Sequence, residues 1–120
     1  MPNHRYNKTI AGYHMLMLLS ALDFKFHIEE EKIIREYLFQ EFPFRVNLDS
    51  EMEVISSLQK DEWEPHFIKC MDDFYDEATP EERNNFLKFA IYLVKADNHI
   101  SDIENEYIKM IFDAWGFSLE

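Results

Sequence analysis

Two stretches of this chain hold carboxylates in the same frame. Asp97 is followed three residues later by Ile100 and seven residues later by Glu104, and Asp23 is followed in the same steps by Phe26 and Glu30. Carboxylate oxygens are hard ligands, and acids gathered around a turn suit a divalent cation such as calcium, magnesium or manganese. Glu29 and Asp102 add further acid to the two stretches. His27 and His99 lie in the same turns and would move such a site toward zinc or nickel. A structural use of these residues is also open. Ser101 and Glu104 fit a capping box, and Asp97 can bond the backbone of its own turn. The first copy bears on the choice, because His27 stands where Ser101 does and is a poor N-cap, yet Glu30 is still present.

Other site chemistries find less support. Read as an EF-hand from Asp97, the loop has Asp102 where Gly is needed and Ile108 where the bidentate Glu belongs. Neither the His-Glu-x-x-His of zinc proteases nor the Glu-x-x-His of di-iron bundles occurs. Cys70 is the only cysteine, which excludes an intrachain disulfide and a Cys-rich zinc site. Its neighbours Asp72, Asp73 and Asp76 raise a thiol pKa and discourage nucleophilic use. With two glycines there is no phosphate-cradling loop. A non-enzymatic role follows, with no catalytic residue assigned.

The elements that carry the acids read as helices. Two Gly and four Pro leave little turn material for a β protein, while 47% hydrophobic residues argue against disorder. A first helix from an N-cap at Thr9 to about Leu22 is apolar nearly all round, so it should be central. A second runs from Ile28 to Phe42 and stops at Pro43. A short third, capped by Asn47 or Asp49, carries Met52, Ile55 and Leu58. A fourth spans Asp61 to Tyr75, with Pro65 tolerable only in its first turn. Thr79, Pro80 and Glu82 form a capping box that opens a fifth helix to Lys95, which should bury Phe86, Phe89, Ala90, Leu93 and Val94. Ser101 caps a last helix to Trp115, and Gly116 ends it.

The expectation is one all-α domain over residues 1–120, a bundle of six to seven helices in two pseudo-repeated halves, with 1–8 frayed. The net charge of −12 repels phosphate backbones, so nucleic acid is not an expected partner. Ala11 to Leu22 is too short for a transmembrane segment, and Leu19-Ser20-Ala21 is a poor cleavage site; a cytoplasmic location is expected. Eleven Phe, six Tyr and two Trp are a heavy aromatic load. Most of it should be core, and an unusually aromatic interior accounts for it; the alternative is that part, either Phe112, Trp115 and Phe117 or Phe39, Phe42 and Phe44, stays exposed as a surface for a protein partner.

The frame Asp-x-x-apolar-x-x-x-Glu between two helical patterns resembles the TerB-like family. That family includes tellurite-resistance TerB proteins and the N-terminal domain of a membrane-anchored J-domain co-chaperone. Its signature, Ala-Asp-Gly-x-Ile-x-x-x-Glu, is met by Ala96, Asp97, Ile100 and Glu104, with Asn98 at the Gly position. The first copy keeps Asp23 and Glu30 but has Phe24 at that position, and the copies lie about 75 residues apart, as in the family. The resemblance implies an all-α bundle and a stress-associated module without enzymatic activity. It also implies acidic clusters near the turns and a metal-binding role; by their carboxylate chemistry Asp23, Glu30, Asp97 and Glu104 are the expected ligands here, for calcium, magnesium, manganese or zinc. The competing expectation is a protein-interaction module that holds no metal.

Overall fold

The computed structural model describes residues 6–22, 28–42, 48–95 and 102–116. These form six helices: α1 (Lys8–Ala21), α2 (Ile28–Glu41), α3 (Glu51–Ser56), α4 (Lys60–Glu77), α5 (Pro80–Lys95) and α6 (Asp102–Trp115). No strand occurs among the described residues, so the all-helical expectation holds. None of the described helices is long and apolar enough to cross a membrane.

α1 is the central element because it has no polar face to give to water. From Thr9 to Leu19 only Ile10 escapes full burial. It packs along α4 and against α2, α3 and α5, while α6 closes on α4 and α5. Gly12 permits the close approach. A Cβ there would meet Leu38 Cδ2 at 3.2 Å, Phe86 Cε1 at 3.2 Å and Phe74 Cε2 at 3.4 Å, so three neighbouring helices converge on this one position. That closeness offsets the roughly 1 kcal/mol that a mid-helix glycine costs relative to alanine. Around it, Phe74 stacks on Trp115 at 5.4 Å and lies 4.5 Å from Phe86, which locks α4, α5 and α6 together.

The helix starts explain themselves locally, with some departures from expectation. The Thr79–Glu82 capping box forms: Glu82 N–H donates to Thr79 Oγ1 at 3.1 Å and Thr79 N–H donates to Glu82 Oε1 at 2.9 Å. Lys8 Nζ also reaches Glu82 at 2.8 Å, tying the start of α1 to that of α5. α1 is capped by Asn7 rather than Thr9, since Asn7 Oδ1 accepts from Ile10 N–H at 2.8 Å. Thr9 is instead buried inside the first turn. α3 starts after Ser50, which makes no side-chain cap. Asp49 is drawn away to Arg35, 3.2 Å from its Nη1, and Asn47 lies outside the described residues. α4 begins one residue early, at Lys60, so Pro65 falls in the second turn and removes a backbone hydrogen bond there. Gly116, at φ +76°, ends α6 as expected.

Between an aromatic surface and an aromatic interior, most of the described candidates go to the interior. Trp115 is 8% exposed and Phe42 1%, because both pack on the Phe74 ring, and Phe112 is half-buried. Phe39 alone of those described is exposed, and Phe44 and Phe117 lie outside the described residues. Phe89, expected in the core, is half-buried and stacks on Tyr37 at 4.1 Å.

Candidate metal centre

Where α1 crosses α4, the core contains a polar island. His14 projects from the middle of α1 and is fully buried. His66 and Cys70 lie one helical turn apart on α4, so both side chains leave the same face toward α1. One nitrogen of each imidazole and the Cys70 Sγ all fall within 4.8 Å of one another. This is the one grouping of three or more such side chains close enough to share a metal ion among the described residues.

The hydrogen bonds orient the donors. His14 Nδ1 lies 2.7 Å from His66 Nε2, and His14 Nε2 lies 2.7 Å from Glu51 Oε1 at the start of α3. With both rings neutral, one proton arrangement satisfies every contact: His14 Nε2–H donates to the Glu51 carboxylate and His66 Nε2–H donates to His14 Nδ1. Burial favours the neutral forms. It lowers the His14 pKa against the opposing pull of Glu51, and it lowers that of His66 to about 4, helped by His14 and Lys69. Burial likewise pushes the Cys70 thiol up to about 12, with Lys69 opposing and Asp73 and Glu51 adding to the rise. The direction expected from neighbouring acids is therefore right, but desolvation is the leading cause.

Tyr6 closes the cluster from the N-terminal side. Its ring lies 4.7 Å from that of His14 and 5.9 Å from that of His66, and its N–H donates to Asp73 Oδ2 at 3.2 Å. Lys69 Nζ bonds the same Asp73 oxygen at 2.7 Å and sits over the Tyr6 ring. Of the segment 1–8, the described residues Tyr6, Asn7 and Lys8 are thus each anchored.

Two neutral imidazoles and a thiol are the donor set of zinc-type sites. Bond lengths of about 2.0–2.1 Å to nitrogen and 2.3 Å to sulfur, at tetrahedral angles, put donors roughly 3.3–3.6 Å apart. The imidazoles would part by about half an ångström and the sulfur would close in, which side-chain rotation on two rigid helices can supply.

The acids singled out in the sequence lie only in part within the described residues. Asp23 and Asp97 lie outside the described residues, as do His27 and His99. Glu30 and Glu104 occupy the first turns of α2 and α6, where the helix macrodipole favours acid. Glu104 is only 5% exposed and Glu30 is half-buried, whereas Asp102 is exposed. Sequence reasoning missed His14 and His66. The available signals were a histidine inside an otherwise apolar helix and the spacing His66-x-x-x-Cys70.

No protein-family model, curated protein or solved structure matches the chain.

Proposed function

We propose that this chain is a non-enzymatic helical module that binds a divalent metal ion at His14, His66 and Cys70. The observation that carries the reading is the convergence of these three donors within 4.8 Å in the core, with a carboxylate oriented on the outer nitrogen of His14. Metal-ligating histidines commonly donate their other N–H to a carboxylate in this way. A stress-associated role, as in the TerB-like proteins that the chain resembles, accords with metal binding. A second cation at the acidic turns would rest on Glu30 and Glu104 with Asp23 and Asp97. The test is calorimetric titration of the full chain with zinc, manganese, calcium and magnesium in turn. The central site predicts one tightly bound zinc that His66→Gln weakens and Glu104→Gln leaves alone; zinc weaker than millimolar refutes it. Calcium or manganese binding that Glu104→Gln removes would instead support the acidic turns.

A further inference from the structure

Resting on that reading, we infer that the cation is a borderline divalent d-block ion of the zinc type, taken as a thiolate complex of Cys70 with His14 Nδ1 and His66 Nε2, and that Glu51 is the positioning residue for His14. Three features of the cluster carry this. The first is the donor set. Calcium and magnesium take six or more oxygens, whereas the atoms that converge here are two imidazole nitrogens and one sulfur.

The second is charge. His14 and Cys70 are fully buried, and a buried ion needs its charge matched nearby. A Cys70 thiolate and the Glu51 carboxylate together supply two negative charges beside the ion. Lys69 and Asp73, paired at 2.7 Å, cancel each other. Glu62 also acts on His66 but is exposed, where solvent screens it. Among the remaining groups a divalent ion therefore leaves the centre neutral, and a monovalent one leaves it with an excess negative charge.

The third is the tautomer. Glu51 Oε1, 2.7 Å from His14 Nε2, holds the proton on that nitrogen and leaves the Nδ1 lone pair on the side of His66, whose Nε2 lies 2.7 Å away. The reaction balances without any redox change. His66 moves its ring proton from Nε2 to Nδ1, and Cys70 loses its thiol proton to solvent. The ion exchanges three bound waters for two nitrogens and one sulfur, so one proton is released per ion. The remaining tetrahedral position is left to a water or an external ligand.

Cobalt(II) is the probe, since it reports thiolate ligation and geometry optically and zinc displaces it. The full chain, reduced and metal-free, should take up one cobalt with a thiolate-to-metal charge-transfer band and intense visible bands. Excess calcium or magnesium should change neither. Cys70→Ser should lose the charge-transfer band. Glu51→Ala should keep the band but bind about 10- to 100-fold more weakly, the usual cost of removing an outer carboxylate. Circular dichroism of each metal-free variant controls for folding. Should Cys70→Ser fail to fold, the band in the wild type and the weaker binding of His66→Gln decide the matter. Cobalt bound without the band, or displaced by calcium, overturns the thiolate assignment and leaves the metal-binding reading standing. Unchanged affinity in folded Glu51→Ala overturns the positioning role. Failure of the wild type to bind any of these ions overturns both.

Discussion

In the metal-free protein, the bond between Glu51 and His14 should have a measurable energy, because one of its partners has no access to water. Glu51→Ala removes the carboxylate 2.7 Å from His14 Nε2 and strands a fully buried N–H. A hydrogen bond to a charged group contributes about 1.5–3 kcal/mol, and a buried donor left without a partner costs about 1–3 kcal/mol. Glu51 is also the first residue of α3, where acid favours the helix dipole by a further 0.3–1 kcal/mol or so. The whole loss should therefore be about 2–4 kcal/mol. A double-mutant cycle with His14→Leu separates the terms. With His14 gone, Glu51→Ala should cost only the dipole contribution, so the coupling energy should be about 1.5–3 kcal/mol. Urea unfolding in the presence of a chelator measures all four proteins. A coupling below about 0.5 kcal/mol, within the error expected for independent sites, would refute the argument that burial makes this contact strong.

Gly12→Val should cost on the order of 2 kcal/mol or more in the same assay, because it drives two γ-methyls into Leu38, Phe74 and Phe86; Gly12→Ala, which gains helix propensity, should stay within about 1 kcal/mol of wild type. His66 has its pKa lowered by burial to about 4 from an ordinary 6.5, so the unfolded chain binds its proton first. Metal-free stability should be complete above pH 6.5 and fall as the pH drops toward 4, with the slope reduced in His66→Gln. Cys70 is fully buried with its thiol pKa pushed up to about 12, so iodoacetamide at neutral pH should label it only as fast as the protein opens, and labelling at the rate of a free thiol would contradict the packing.

Much of the fold was legible in the sequence because the signals are local or periodic. Apolar residues all round α1 marked it as central, and Thr79-Pro80-Glu81-Glu82 marked the start of α5 correctly. The cap of α1 was misread by two residues because Asn7 and Thr9 are both competent caps, and only the position of Ile10 N–H decides between them. The choice between an aromatic surface and an aromatic interior is settled by tertiary contacts for the two most buried candidates. Phe42 and Trp115 look terminal in sequence, but both meet the Phe74 ring from different helices. The candidate metal centre was illegible as a unit. His14 stands 52 positions from His66, and their 2.7 Å contact exists only because α1 crosses α4 at that level. A sequence places together only residues that share a turn or a helix face, as His66 and Cys70 do, and His14 reaches them from another helix.

The position of His14 follows from the same logic that makes α1 central. A helix buried on every side has no polar face, so any polar residue placed in it must be satisfied by its neighbours or forfeit stability. Leucine or methionine at position 14 would continue the pattern of Met15 to Leu19 at no such cost. His14 has both nitrogens engaged, one by Glu51 and one by His66, and each partner comes from a different helix. Three elements are thus committed to one imidazole in the most enclosed part of the fold. Hydrogen bonding accounts for how the core tolerates His14, and not for why Cys70 stands within 4.8 Å of both rings. A thiol contributes little to such a network as a hydrogen-bonding group, being a weak donor and a weak acceptor. As a third ligand in the proposed site it would complete a donor set that the two imidazoles begin, and the partly exposed His66 would give that set its edge toward solvent.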